Sequence, residues 1–268
     1  MNRLLSAAVL SLAWAQVPSA QAASDNQACA QALLAALGRQ LQVAHFAPDP
    51  ADHGTDPAGV VLASSCKRMP DDPRLTLAAV AWDAHKDDSK ALVVAIVDES
   101  ASRIEALRRE EIDEDGATRV NNGSLRLDTA PYTLAPGVRA FGVDVFLDDG
   151  SCGEGGFGPS RTLYVREART LRPVLTGLSM SQWLYLRGNQ PRCAGDPKEA
   201  ASAILEDYDL AIGLGEPGKN GWRDLILTAN ARRSDHKPGR KPLHVRVPYD
   251  GGAYPLDAFN KAYAQWRQ

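Results

Sequence analysis

The sequence predicts an all-β, mainly antiparallel fold, propeller-like or sandwich, with short N- and C-terminal helices. Short runs rich in β-branched and apolar residues recur from residue 60 to 255 with polar turns between them, and no helical stretch of comparable length intervenes. A parallel sheet would need such helices as crossovers, so the antiparallel class is left. An apolar leader and an even number of cysteines add an oxidising compartment, in which disulfides persist.

The opening MNRLLSAAVLSLAWAQVPSAQAAS has a basic start at Arg3, an apolar run over 4–15, and small residues at Ala20 and Ala22 in an A-x-A pattern. This predicts a signal peptide over 1–22, cleavage after Ala22 and a periplasmic location. The run breaks at Gln16, short of the roughly 20 apolar residues of a span, so no membrane insertion is expected. The formal net charge is −3, and losing Arg3 makes the chain one unit more negative. A weakly acidic chain of mixed signs lacks the footprint of a nucleic-acid binder. The expected partner is a protein or small molecule, and long-range attraction favours a basic one.

Residues 23–58 form an N-terminal helix and loop, and 59–268 the β domain with its C-terminal helix. In DNQACAQALLAALGRQLQV, Cys29, Leu33, Leu37 and Leu41 recur at helical spacing with Leu34 beside them, and Ser24 or Asp25 is placed to cap. HFAPDPADHGTDPAG follows, with three prolines, two glycines and no period, which is a loop. His45, Asp49, Asp52, His53 and Asp56 crowd there, but at irregular spacing, so a solvated polar loop is expected and no metal or other cofactor.

Strand signals fall at LTLAAVAW (75–82), ALVVAIV (91–97), VRAFGVDVFL (138–147), TLYV (162–165), WLYL (183–186), LILTA (225–229) and LHVRV (243–247). Three strand–turn–strand units, ALVVAIVDESASRIEAL, TLYVREARTLRPVL and LHVRVPYDGGAYPL, recur about every 70 to 80 residues, which suggests repeated sheet units around an axis. A sandwich yields similar strands, and both arrangements stay open. DAFNKAYAQWRQ places Ala258, Phe259, Ala262, Tyr263 and Trp266 on one helical face, for packing on a sheet edge.

The stretch DDGSCGEGGFGPS (148–160) has five glycines. A phosphate loop needs them between a strand and a helix with a Lys nearby, and here they lie between two strands without one. No G-x-S-x-G elbow occurs, and Cys152 as a nucleophile would need a free thiolate. The expectation is a long hairpin connection, its glycines letting the backbone turn, that presents Asp148, Asp149, Glu154 and Phe157 to a partner. Cys29, Cys66, Cys152 and Cys193 allow three pairings. Cys29–Cys66 with Cys152–Cys193 is favoured, since each closes a loop of roughly 40 residues and the bridges stay in separate parts of the fold.

Asp113, Glu114 and Asp115 before Gly116 lack the spacing of a calcium loop and read as a charged turn. His85, His236 and His244 are scattered at turns and strands, so no catalytic triad is nominated and no enzyme is expected. Trp183, Tyr185 and Trp222 could serve as sugar platforms in an envelope carbohydrate-binding protein or hydrolase, the alternative reading, although their placement in strands favours core packing.

LRLDTAPYTLAPGVRAFGVDV (125–145), TLYVREARTLRPVLTGL (162–178) and NGWRDLILTA (220–229) resemble a family of exported, uncharacterised proteobacterial proteins. NGWRDLILTA is also similar to the repeat ending of integrin-type propeller blades, with Gly221 at the turn, Trp222 packing and Asp224 bracing the turn; the D-x-D-x-D calcium ligands are absent. That ending occurs in periplasmic inhibitors of I-type lysozyme and in related immunity proteins that neutralise peptidoglycan hydrolases. The resemblance implies a non-enzymatic β scaffold that inserts a loop into a hydrolase cleft, a role that falls to residues 148–160.

Overall fold

The computed structural model describes residues 26–48, 59–86, 88–115, 117–149, 152–188, 193, 195–196, 198, 201–218 and 220–268. The leader, the helix caps Ser24 and Asp25, Gly116, and Asp49, Asp52, His53 and Asp56 lie outside the described residues. Within them the chain is all-β with two short helices, α1 (Gln31–Leu41) and α2 (Asp257–Arg267).

A nine-stranded sheet holds β1 (Ala47–Pro48), β2 (Val60–Arg68), β3 (Leu75–Lys86), β4 (Ser89–Asp98), β5 (Arg103–Asp113), β7 (Leu125–Ala135), β8 (Val138–Val145), β11 (Ser160–Glu167) and β12 (Thr170–Ser179). Its order is β1-β2-β3-β4-β5-β12-β11-β8-β7. Pairing is antiparallel except at β1–β2 and at β5–β12, where two antiparallel halves meet through the single parallel pair Thr170 and Leu107. The sheet curls into a half-barrel, so that Leu77, Ala79 and Ala81 of β3 share a core with Leu127 of β7, Phe141 and Val143 of β8 and Tyr164 of β11. Small alanines at inward positions let the two halves approach. Asn26 closes the gap between β2 and β7, its Oδ1 accepting from the Leu127 amide at 2.7 Å and the Ser65 hydroxyl at 2.9 Å.

The outward side chains of β3, Ala78, Val80 and Trp82, are buried by Leu33, Leu34, Leu37 and Leu41 of α1. A strand buried on both faces reads as a continuous apolar run, which is why LTLAAVAW does not alternate. The helix starts later than its apolar spacing implies. Residues 27–29 are committed elsewhere, Gln27 to a bridge with Cys66 and Cys29 to its disulfide with the same residue, and Ala30 precedes the helix without a side-chain cap.

A five-stranded sheet packs on the outer face of β7, β8, β11 and β12. Its order is β10-β13-β14-β15-β16, with β10 (Gly155–Phe157), β13 (Ser181–Arg187), β14 (Ile204–Pro217), β15 (Arg223–Arg233) and β16 (Leu243–Val247). Tyr208, Leu210, Leu225 and Leu227 meet Leu134, Leu163, Val174 and Leu175 across the interface, and Phe259 and Tyr263 of α2 complete that core. A two-stranded pair joins β6 (Thr118–Arg119) to β9 (Asp148–Asp149).

The sheets therefore stack face to face, and the three strand–turn–strand units are not separate blades. Two of them, β4–β5 and β11–β12, are neighbours in one sheet, and the third contributes only β16 before an Asp250 turn. On α2, Phe259 and Tyr263 are buried and Trp266 packs edge-on against Tyr208, but Ala258 is exposed. Both disulfides pair as favoured, Cys29 with Cys66 and Cys152 with Cys193.

Candidate functional site

The 148–160 connection leaves β8 and returns as β11, and its root is clamped by charge. Arg161 faces Asp144 directly across the strand pair, donating Nε to Oδ1 at 2.6 Å and Nη2 to Oδ2 at 2.8 Å. Its Nη1 reaches Asp128 and the Tyr132 hydroxyl, the latter at 3.1 Å, and Arg126 adds a second cation to Asp144 at 3.0 Å. Gly142 makes the room, since a Cβ there would sit 3.3 Å from Arg161 Cδ. Burial alone would make the guanidinium lose its proton more readily, but Asp144 and Asp128 outweigh it and hold the proton more tightly. Burial and the Asp128 carboxylate push the Tyr132 phenol up. Every partner comes from β7, β8 or β11, so the cluster is a structural clasp.

From this root the chain runs to β10, the edge of the second sheet. Gly155, Gly156 and Phe157 pair with Leu184, Trp183 and Gln182 of β13. The glycines serve close approach more than free turning. A Cβ on Gly155 would fall 2.8 Å from the Trp183 carbonyl, one on Gly156 would fall 2.6 Å from the Trp183 ring, and one on Gly158 would overlap the Ser181 hydroxyl. Cys152 then ties the connection to Cys193, between β13 and β14.

The result is a thin ledge with apolar side chains on both faces. Phe157 is 69% exposed, Leu184 39% and Leu186 40%, with Leu184 on the face that is buried farther in at Gln182 and Tyr208. Trp183 and Tyr185 point to the other side, half-buried, with ring centroids 5.7 Å apart in an edge-on pair. Glu154 is exposed at the start of the ledge, and its carbonyl accepts from the Tyr185 amide at 2.7 Å. Asp148 and Asp149 form β9 against β6, away from the ledge strand, and only their backbone is described.

Other sequence candidates resolve differently. Trp183 and Tyr185 lie on the outer face of their sheet, so strand placement did not make them core. Trp222 does pack, stacked on Tyr249 at 4.0 Å with Arg172 above it. Gly221 takes a positive φ of 78°, but the turn is braced by Asn220, which accepts from the Trp222 amide, while buried Asp224 pairs with Arg246. Glu114 is buried, accepting from the Val120 amide at 2.7 Å, with Lys90 3.7 Å away. His45, His85 and His236 sit at positive φ and His244 bonds Thr228, and among the described residues no group of three or more His, Cys, Asp or Glu could hold a metal.

Sequence reasoning missed Asp207 and Asp209 on β14. They share the outer face with Trp183, whose register partner is Asp207. Burial and the like charge of Asp209 raise the Asp207 carboxyl against the opposing pull of Arg232. The signal was present as the alternation Glu206-Asp207-Tyr208-Asp209-Leu210, in which acidic residues fall on both faces.

Comparison with known proteins finds no matching family model, no similar curated protein and no similar solved structure. Function is therefore argued from the site.

Proposed function

We propose that this protein is a non-enzymatic periplasmic binder that inserts its ledge into the cleft of a protein partner, a peptidoglycan hydrolase. The observation that carries the reading is the ledge itself, a disulfide-tied sheet edge with Phe157 and Leu184 exposed on one face and Trp183 and Tyr185 on the other. Monomeric proteins seldom leave large apolar side chains clustered in water, and such clusters mark interaction sites. Among the described residues the short β10 also leaves one hydrogen-bonding edge open to a partner strand.

Rigidity supports the same reading. The Arg161 clasp joins the two strands at the root of the connection and the Cys152–Cys193 bridge fixes one point along it, and restraints of this kind lower the ordering cost of binding. Among the described residues no helix is long and apolar enough to cross a membrane, and two disulfides indicate an oxidising environment. The weakly acidic chain complements the basic surfaces of enzymes that work on anionic walls.

The test is wall-lysis turbidity with a panel of lysozymes and the purified protein, oxidised or carrying Cys152→Ser with Cys193→Ser. Inhibition saturating near one-to-one and weakened in the bridge variant supports the reading. Turnover of a wall polymer by the protein itself would favour an envelope hydrolase instead.

A further inference from the structure

The outer face of the second sheet offers, beside the ledge, a second binding feature of defined chemistry. The Trp183 indole lies against Gly156, in the space a side chain there would take, and Tyr185 stands edge-on to it. Asp207 is the register partner of Trp183, and Asp209 follows on the same face of β14. Arg232 stands directly across from Asp207 in the register but donates to Asp209, so Asp207 has no hydrogen bond to any described residue. The floor beyond is low, formed by exposed Ala211 and Gly213.

We infer that Trp183, Tyr185 and Asp207 form a slot for a cationic side chain, an arginine or lysine of the protein partner. This rests on the reading above and deepens it by naming what the ledge's outer face recognises. Charge complementarity selects the occupant. Among the described residues Asp207, Asp209 and Arg232 sum to one negative charge on this face, and aromatic faces attract cations. A half-buried carboxylate short of donors gains from a guanidinium or ammonium, whose hydrogen bonds to carboxylate are charge-assisted. An anionic ligand would meet both aspartates, and a neutral glycan would leave the charge uncompensated.

The experiment is a titration of the isotope-labelled mature protein, read at the Trp183 indole N–H resonance, which Trp183→Phe identifies by its disappearance. Hexa-arginine peptide and the neutral hexamer of N-acetylglucosamine are the two probes. The expected result is a saturable shift with the peptide, weakened ~2- to 5-fold in Asp207→Asn, as loss of one partly exposed charge contact implies. Asp257→Asn, an exposed acid on α2, should leave the shift intact. No shift with the peptide, or the same affinity in Asp207→Asn, overturns the inference; a shift with the sugar alone makes this a glycan face and overturns it too. The titration contains no hydrolase, so the two readings fail separately. Saturable peptide binding without inhibition of any hydrolase sinks the hydrolase reading, and inhibition with a flat titration sinks the slot.

Discussion

Replacing Asp144 with alanine tests whether the ledge stands on a rigid root. Asp144 is 1% exposed and accepts from two guanidinium groups, those of Arg161 and Arg126. The Arg126 side chain is 61% exposed and can return to water, so its loss costs little. The Arg161 side chain is 8% exposed and cannot. Removing one partner of a buried ion pair costs roughly 3–5 kcal/mol, and the surviving contacts to Asp128 and Tyr132 place this case near the low end, at about 3 kcal/mol. For a chain of this size each kcal/mol moves the midpoint by about 2–4 °C, so Tm should fall by about 6–12 °C. Urea unfolding followed by far-ultraviolet circular dichroism gives the free energy, with Arg126→Ala as the exposed control at about 1 kcal/mol or less. A loss below about 1 kcal/mol for Asp144→Ala, or equal losses for the two variants, would refute the reasoning.

Other predictions concern the ledge and the inter-sheet core. Gly156→Ala should expel the Trp183 indole, changing its fluorescence and costing roughly 1–3 kcal/mol, whereas an unchanged spectrum would show that the ring does not lie on that glycine. Burial and Glu206 push the Tyr208 phenol up to about 12, from an ordinary 10.0. Because the folded value is the raised one, this contribution is intact below pH 10 and disappears as pH rises toward 12; alkaline melting curves should show that loss shrink in Tyr208→Phe. Asp207 is also raised in the fold, so here ionisation is what the folded state resists: Asp207→Asn should melt no lower than wild type at pH 7, and any gain should vanish below the ordinary carboxyl range. Tyr263→Phe removes a buried hydroxyl that has no hydrogen-bond partner among the described residues, so denaturant unfolding should find it neutral or stabilising.

Much of the fold was legible. β3, β4, β8, β11, β13, β15 and β16 each contain a run that β propensity marks, and the leucine stripe of α1 is buried as its spacing implies. β14 was not legible, because its inward positions include Glu206 and its outward ones Asp207 and Asp209, so the alternation of hydrophobicity is broken by charge on both faces. The face-to-face stacking was hidden for another reason: strand–turn–strand spacing is a local signal, and it does not say that β5 meets β12 through one parallel pair. At the site, exposed Phe157 and Glu154 and the Cys152 bridge followed from composition and cysteine count. The role of the glycines did not, since close approach to Trp183 is a contact between segments far apart in the chain.

The central claim is that the ledge blocks a wall hydrolase. It is tested most directly by titrating wild type and a Phe157→Ala, Glu154→Ala double variant into lysozyme-driven wall lysis, with circular dichroism confirming that both are folded. The account predicts inhibition by wild type that saturates near one-to-one and is lost in the variant. Equal inhibition by both, or none by either across the panel, would contradict it.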